Sequence, residues 1–289
     1  MQIIRSVQEM QSRAAQLRTG GKSIGFVPTM GCLHEGHLGL IDIARREADV
    51  VVVSIFVNPT QFGPGEDFGN YPRTEDADIA LCETRGAEIV FLPDAGSFYP
   101  SGFSTYIEEE FCSRGLCGAF RPGHFRGVAT VVLMLFNIMR ADVAVFGEKD
   151  AQQVAVVRKM AADLFLSTRI IAAPIVREED GLALSSRNRY LSPEQRKTAP
   201  ELFNALKAAV DSARLYGETA RLRLVPVQKI KEAAAEHLAN FPDFRVQYID
   251  LVDRRTAQPV AFVEPGAGKT LIAAAVFLGK TRLIDNMPL

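Results

Sequence analysis

The chain has 289 residues, of which 47% are hydrophobic and 23% charged, and its formal net charge at pH 7 is −1. This length allows roughly two domains with a sizeable buried core. Proteins that bind nucleic acids usually carry an excess of basic residues, and the balanced charge of this chain gives no indication of such a partner. The longest apolar runs are too short to cross a bilayer.

The compartment is predicted from the N-terminus and the cysteines. Residues 1–10 alternate apolar with polar or charged side chains and lack the apolar region of a signal peptide. Cys32, Cys82, Cys112 and Cys117 are scattered, without the two-residue spacing of zinc knuckles or redox centres. We therefore expect reduced thiols in a cytoplasmic protein, with no nucleic-acid or membrane partner.

The first half of the chain alternates predicted strands and helices. Strands are predicted at 23–27, 50–56, 88–92, 142–146 and 169–173, and helices at 38–46, 74–85, 127–139 and 151–164. This alternation predicts a parallel sheet with helices on both faces. Ligands of such folds bind beyond the carboxyl ends of the strands.

The second half changes character. Helices are predicted at 193–215 and 219–238, followed by strands at 245–252, 259–263 and 270–277. Helices followed by strands predict a smaller α+β domain. We place the boundary near residues 176–180, which gives domains of residues 1–176 and 177–289.

The densest chemical signal is the segment Val27–Leu38, between the first strand of this alternation and its helix. His34 and His37 are three residues apart, so on a helix they share a face. A helix N-terminus adds unpaired N–H groups and the positive end of the dipole, which together suit an anion. We interpret the pair as a triphosphate site that donates hydrogen bonds as charge builds on departing pyrophosphate, with Gly36 leaving room for a nucleotide.

Two alternatives compete with this interpretation. A histidine pair at this spacing is more often incidental than functional, and it could also bind zinc. Zinc needs a third protein ligand, and the other two histidines, His124 and His237, are far away in sequence. A carboxylate or cysteine could complete such a site, so zinc stays the less favoured alternative.

Two further segments could bind a nucleotide. After a predicted strand, Lys149 can neutralise phosphate charge, while Asp150 and Gln153 can bond ribose or substrate hydroxyls. Asp150 could equally cap the next helix. The segment 184–190 combines two hydroxyls with two guanidiniums and could close over a triphosphate, although alone it is typical of a solvated basic turn.

A third segment is rejected. Gly268, Lys269 and Thr270 look like the end of a P-loop, but the glycine required five residues earlier is Val263, and no helix is predicted after Thr270.

Taken together, these segments resemble the pantothenate synthetase (pantoate–β-alanine ligase) family of the nucleotidylyltransferase superfamily. The similar segments lie in the family's order along nearly the whole chain: Pro28–His37, Ser54–Phe62, Tyr71–Thr74, Arg121–Val128, Phe146–Gln153, Ile175–Leu191 and Gly279–Asn286. Such an extended match is far more specific than any single motif.

The resemblance implies an ATP-dependent condensation of pantoate with β-alanine to give pantothenate. It would proceed through a pantoyl adenylate and release pyrophosphate and AMP. The resemblance also implies Mg²⁺ with ATP as substrate, a homodimer and an α/β fold. In that fold a Rossmann-like doubly wound parallel sheet precedes a smaller α+β C-terminal domain that closes over the site.

The family's functional residues are carried over only where the motifs match. The resemblance assigns His34, His37 and Lys149 to catalysis. It assigns to ATP binding the same three residues together with Met30, Gly147, Asp150, Val176, Ser185, Ser186 and Arg187. It assigns Asn58, Gln61, Arg121 and Gln153 to pantoate, and Asp78 to Mg²⁺.

The chain departs from the family pattern at two positions. Met134 stands where lysine is expected, and Ala141 where proline is expected. Neither belongs to the proposed chemistry, so both are interpreted as packing or surface variation. Three other functions stay open at this point: a simple nucleotidylyltransferase, an ATP-binding sensor without turnover and, least favoured, a zinc hydrolase.

Overall fold

The computed structural model describes residues 1–221 and 223–289. Contacts divide the chain into two units. The first comprises Met1–Glu110, Arg121–Glu148 and Val156–Pro174, and the second comprises Phe111–Phe120, Lys149–Ala155 and Ile175–Leu289. The functional boundary between residues 176 and 177 stays a prediction.

Strands and helices alternate in the first half and segregate in the second. The strands are β1 (Gln2–Ile4), β2 (Ile24–Thr29), β3 (Val50–Ile55), β4 (Ile89–Phe91), β5 (Val143–Gly147), β6 (Arg169–Ala173), β7 (Val225–Pro226), β8 (Phe244–Asp253), β9 (Phe262–Val263), β10 (Thr270–Leu278) and β11 (Thr281–Pro288). The helices are α1 (Val7–Thr19), α2 (Glu35–Glu47), α3 (Glu75–Thr84), α4 (Ala95–Phe98), α5 (Leu116–Phe120), α6 (His124–Met139), α7 (Ala151–Asp163), α8 (Pro193–Thr198), α9 (Glu201–Thr219) and α10 (Val227–Ala239). Short 3₁₀ turns cover Pro59–Gln61, Glu148–Asp150 and Ser186–Tyr190.

The first unit is built on a parallel sheet. Within the described residues it has six strands in the order β1-β4-β3-β2-β5-β6. The inner strands β2, β3 and β5 are nearly continuous apolar runs, as expected when helices cover both faces. From β2 the sheet extends through β3 and β4 on one side and through β5 and β6 on the other, so the strand order reverses between β2 and β5. In such sheets the ligand crevice lies at this reversal, beyond the carboxyl ends of the strands.

Helix α6 packs closely against the turn Pro59–Gln61 that follows β3. A Cβ atom on Gly127 would lie 2.4 Å from the carbonyl oxygen of Thr60, so a glycine is required at this contact. This close contact fixes the position of residues 59–61 against the N-terminal part of α6.

The second unit has a mainly antiparallel core. In the part of the chain that the structure describes, its largest sheet has three strands in the order β11-β10-β8, and apolar side chains of α9 and α10 pack with it in one core. Arg177 donates to both oxygens of the buried Asp285 on β11, at 2.6 and 2.9 Å. Burial raises the pKa of Asp285 despite the opposing hydrogen bonds and charge of Arg177.

The predicted fold class is confirmed, with two corrections in the second half. The helix predicted at 193–215 is wrong as a single element, because α8 ends before Pro200 and α9 begins after it. The helix predicted at 219–238 begins only at Val227, after Pro226, and Leu222 within that range lies outside the described residues.

Other elements agree with the sequence or were missed by it. Thr270 opens a strand rather than a helix, which confirms the rejection of a P-loop there. The strands β1 and β11 and the helix α1 were not predicted. No described helix is long and apolar enough to span a membrane.

The close contact at Gly127 makes a stability prediction. We expect Gly127→Ala to lower the free energy of unfolding by about 1–3 kcal/mol, because the added methyl group meets rigid backbone. Gly39→Ala is the matched control in α2, where a Cβ would meet nothing within 4 Å. It should stabilise by roughly 0.5–1 kcal/mol. Equal unfolding midpoints of the two variants in urea would contradict the packing argument.

Candidate active site

The segment between β2 and α2 is wrapped around one buried carboxylate. Asp78, at the start of α3 and 1% exposed, accepts hydrogen bonds from the backbone N–H of Cys32 at 2.9 Å and of Leu33 at 2.7 Å. Thr74 adds its hydroxyl at 3.1 Å. Gly31, with φ of 80°, has no side chain, and a Cβ there would lie 3.0 Å from the carboxylate. The backbone leading into α2 is therefore held from inside the protein.

His34 and His37 lie side by side at the start of α2. Their ring centroids are 4.1 Å apart with an angle of 40° between the planes. His34 is the N-cap residue, and its Nδ1 accepts a hydrogen bond from the N–H of Gly36 at 3.2 Å. In the neutral ring the proton is then on Nε2, which can donate to an anion. The predicted clustering of the two rings is thus present, with His34 capping the helix rather than lying within it.

The acidic residue between the two histidines is neutralised locally. Glu35 would repel a phosphate at the helix N-terminus, but Arg85 at the end of α3 donates to its carboxylate at 2.6 Å. The same guanidinium reaches Asp42 at 3.0 Å. The positive end of α2 is therefore not cancelled by its own glutamate.

Three predicted substrate residues meet in the first unit. The Nδ2 of Asn58 donates to Oε1 of Gln61 at 3.0 Å, and the Nε2 of Gln61 lies 3.0 Å from the sulfur of Met30. Asn58 is 1% exposed and also donates to the carbonyl of Gly127 at 3.2 Å. Asn58 is therefore saturated by protein contacts, whereas Gln61 and Met30 are only half-buried.

Arg121 is engaged by a residue that the sequence did not single out. Its Nε and Nη2 donate to the two oxygens of Glu66 at 2.7 and 2.5 Å. Burial alone would raise the pKa of Glu66, but the hydrogen bonds and charge of Arg121 lower it below its ordinary value. Arg121, which is predicted to bind pantoate, thus already binds a carboxylate of the protein itself.

Gly147 is the last residue of β5, and β5 lies next to β2 in the sheet. A Cβ there would meet nothing within 4 Å. Gly147 and the histidine segment therefore follow neighbouring strands at their carboxyl ends.

The remaining predicted residues lie in the second unit. Lys149 and Asp150 belong to the 3₁₀ turn before α7, and the Nδ2 of Asn286 holds the carbonyl of Lys149 at 3.1 Å. Gln153 is half-buried in the first turn of α7. Its neighbour Gln152 is turned inward and bonds the backbone of Cys112, Gly115 and Cys117 at 2.7–3.0 Å.

The serine-rich segment forms a defined turn. The hydroxyl of Ser185 caps the 3₁₀ turn by accepting from the N–H of Arg187 at 3.3 Å, and Ser186 is buried. The carbonyl of Val176 accepts from the N–H of Leu184 at 3.0 Å, which ties the start of this segment to the chain that precedes it. The segment therefore has a defined 3₁₀ backbone, while Arg189 and Tyr190 at its end are exposed, and its role in binding the nucleotide stays a prediction.

Comparison with known proteins settles the family. The family described as pantoate-beta-alanine ligase matches residues 2–288. The chain belongs to the pantoate–β-alanine ligase family.

Named relatives agree along the full length. A pantothenate synthetase of Heliobacterium modesticaldum is 52% identical over 289 residues, with 99% of each chain covered. The crystal structure of pantothenate synthetase from Thermus thermophilus has a TM-score of 0.91 and 43% identity, covering 100% of this chain and 99% of that one.

A third structure, from Francisella tularensis, is a pantoate–β-alanine ligase described as complexed with beta-gamma ATP and beta-alanine. It has a TM-score of 0.79 and 35% identity, covering 100% of this chain and 97% of that one. These comparisons confirm the resemblance, and the chain is an enzyme of the ligase class.

Four residues of this ligase were missed by the sequence: Glu66, Gln152, His124 and Arg85. Glu66 lies in the segment 63–70, whose glycines and proline predict only a loop. The sequence offered signals for His124, which lies within a matching segment, and for Gln152, which adjoins a predicted ligand. Arg85 carried none, since its partners are distant in sequence.

Asp78 does not fit a magnesium site in this arrangement. Both of its oxygens already accept hydrogen bonds, three in all, and the side chain is buried. Among residues 1–221 and 223–289, no group of three or more His, Cys, Asp or Glu side chains is arranged to hold a metal ion. The geometry therefore favours a structural use of Asp78, and its assignment to Mg²⁺ stays an untested prediction.

The wrapped carboxylate can be tested directly. We expect Asp78→Asn to lower the free energy of unfolding by about 1–3 kcal/mol, because the two backbone N–H groups bond to different oxygens and the amide replaces one oxygen with an NH₂ donor. The control is Asp76→Asn, an exposed residue in the same helical turn. Thermal unfolding of both variants gives the comparison. A normal unfolding temperature for Asp78→Asn together with a raised Mg²⁺ requirement would instead support a metal ligand.

Proposed function

We propose that this ligase activates pantoate with ATP and condenses the resulting pantoyl adenylate with β-alanine. The observation that carries the proposal is the pair of imidazoles, 4.1 Å apart, at the N-terminus of α2. Support also comes from the Francisella tularensis relative, whose described ligands are beta-gamma ATP and beta-alanine.

The first step is an in-line displacement at phosphorus. A carboxylate oxygen of pantoate attacks the α-phosphorus, the bond from this phosphorus to the bridging oxygen breaks, and pyrophosphate leaves with the electron pair. His34 Nε2–H, His37 and the N–H groups of α2 stabilise the charge that develops on the departing phosphates. Lys149 is proposed to bind the nucleotide phosphates as a point charge.

The second step forms the amide. The β-alanine nitrogen attacks the acyl carbon, the acyl–phosphate bond breaks, AMP leaves and the nitrogen gives its proton to solvent. No protein nucleophile is needed, because the site supplies orientation and charge neutralisation. Gln61 and Gln153 are proposed to hold the pantoate oxygens, since amides offer both donors and acceptors.

The remaining residues that the resemblance assigned to ATP are proposed to bind the nucleotide. Met30, through its backbone, and Gly147, which has no side chain, would allow the nucleotide to approach the protein backbone closely. Asp150, Val176, Ser185, Ser186 and Arg187 would complete its binding from the C-terminal half. Mg²⁺ is proposed to arrive with ATP, neutralising phosphate charge, and no step is assigned to a protein-held metal.

A homodimer is also proposed, on the basis of the family resemblance. Sedimentation equilibrium across a hundredfold concentration range tests this point, and a monomer throughout would refute it.

Pantoate-dependent exchange of labelled pyrophosphate into ATP tests the first step. Addition of β-alanine should then yield AMP and a product whose mass equals pantoate plus β-alanine minus water. A plain nucleotidylyltransferase would retain the nucleotide in its product, and an ATP sensor would bind ATP without exchange. Either result would overturn the proposal.

The histidine pair makes a quantitative prediction. We expect His34→Ala or His37→Ala to slow adenylate formation by about 10²–10³-fold, by analogy with the loss of one oxyanion donor. His237→Ala is the control, because this histidine bonds Glu201 in the second unit. Near-normal single-turnover rates for the first two variants would remove the imidazoles from the mechanism.

Lys149 makes a second, separable prediction. Lys149→Ala should reduce the exchange rate at least as strongly as loss of one histidine, because the full positive charge that we propose to bind the phosphates is removed. The control is Lys159→Ala, whose ammonium pairs with Asp163 on the surface of α7. An effect of Lys149→Ala confined to the unfolding temperature would show that the lysine is structural.

A further inference from the structure

We infer that Glu66, Arg121 and His124 form one chain of polar contacts that positions Gln61, and that Glu66 and His124 are positioning residues of the pantoate subsite. This inference rests on the proposed function, since Gln61 is proposed there to hold pantoate. All four residues belong to the first unit, and Glu66 and His124 carry no sequence-based assignment.

His124 contacts the backbone of Gln61 with a defined ring nitrogen. Its Nε2 lies 3.1 Å from Nη1 of Arg121, and its Nδ1 lies 2.8 Å from the carbonyl oxygen of Gln61. A guanidinium can only donate, so Nε2 must accept. The ring proton is then on Nδ1 and donates to Gln61. One neutral tautomer therefore satisfies both contacts.

Glu66 fixes the guanidinium on which this arrangement depends. Its two oxygens accept from Nε and Nη2 of Arg121, and the same Nη2 also donates to the carbonyl of Gln61 at 3.2 Å. A guanidinium is planar, so gripping one edge sets the direction of its other N–H groups. Arg121 therefore acts on the pantoate subsite through the backbone of Gln61.

The side chain of Gln61 is fixed independently by Asn58. The oxygen of Asn58 accepts from Tyr99 at 2.8 Å, and its nitrogen donates to the carbonyl of Gly127, so the amide has one orientation. Its nitrogen then faces Oε1 of Gln61, which leaves Nε2 directed at the sulfur of Met30. Sulfur is a weak acceptor. A carboxylate or hydroxyl oxygen of the substrate would replace it as the better partner.

The decisive experiment compares two replacements of His124. His124→Ala should raise the pantoate KM by about 5- to 30-fold, because the Gln61 carbonyl loses a donor. The ATP KM should stay within about twofold, at the precision of such comparisons. His124→Asn places an N–H near the Nδ1 position and should recover most of the loss. Equal rises in both KM values, or no recovery by Asn, would overturn the inference.

A second pair of variants tests the ionic part of the chain. Glu66→Gln keeps an acceptor but removes the charge, so the pantoate KM should rise by about 3- to 10-fold. Glu47→Gln is the matched control, since Glu47 forms a 2.5 Å pair with Arg169 elsewhere in the first unit. A pantoate KM for Glu66→Gln equal to that of the control would refute the role of Glu66.

Limited proteolysis separates this inference from the proposed function, because it needs no substrate. Glu66→Ala should be cleaved within residues 63–70 faster than the wild-type protein, whereas Glu47→Gln should not. If the wild-type protein shows no pantoate-dependent pyrophosphate exchange, the proposed function fails. Faster cleavage would then still support the polar chain, and unchanged cleavage would overturn it.

Discussion

The carboxylate of Asp78 is the interaction on which the histidine segment depends. A loop that leaves a parallel strand and enters a helix must find partners for several backbone N–H groups away from water. Asp78 supplies both of its oxygens to adjacent residues of this loop, at 2.9 and 2.7 Å. The loop is therefore held by contacts of the protein itself, which lowers the cost of ordering both imidazoles when a ligand binds.

A similar principle governs the turn that carries Gln61. Its backbone is held from α6, its side chain is held by Asn58, and the contact between α6 and the turn is possible only because Gly127 has no side chain. In the second unit, Asp285 and Asn286 at the end of β11 hold Arg177 and the carbonyl of Lys149. In each case buried polar groups of the scaffold fix the backbone, and the side chains that we propose to bind substrate, Gln61 and Lys149, stay half-buried.

The sequence predicted those parts of the fold that depend on local patterns. The runs that became β2, β3 and β5 are apolar and rich in β-branched residues, so their strands were correctly predicted. The strand β11 was missed because Arg282 and Asp285 interrupt its apolar pattern, and the burial of Asp285 depends on Arg177, over a hundred residues away. The single helix predicted at 193–215 failed because amphipathic periodicity continues across Pro200, although a proline cannot donate the backbone hydrogen bond.

The same distinction applies to the candidate site. His34 and His37 were recognised together because they are only three residues apart at a predicted helix start, a spacing that brings side chains to one face. The long-range contacts behind the site were not predicted, since Asp78, which the resemblance assigned to Mg²⁺, reaches Cys32 across 46 positions of the chain, and Glu66 reaches Arg121 across 55. The family resemblance assigned residues to the substrates, and these assignments stay predictions, whereas the geometry identified the residues that hold them.

The charge of Asp78 also has a chemical consequence for its neighbour Cys82. Burial, together with this nearby negative charge, raises the pKa of the Cys82 thiol to about 12. Only thiolates react readily with electrophiles and oxidants. Cys82 should therefore resist alkylating agents and peroxide at neutral pH, so that the helix supporting the histidine loop is spared from oxidative damage at this sulfur.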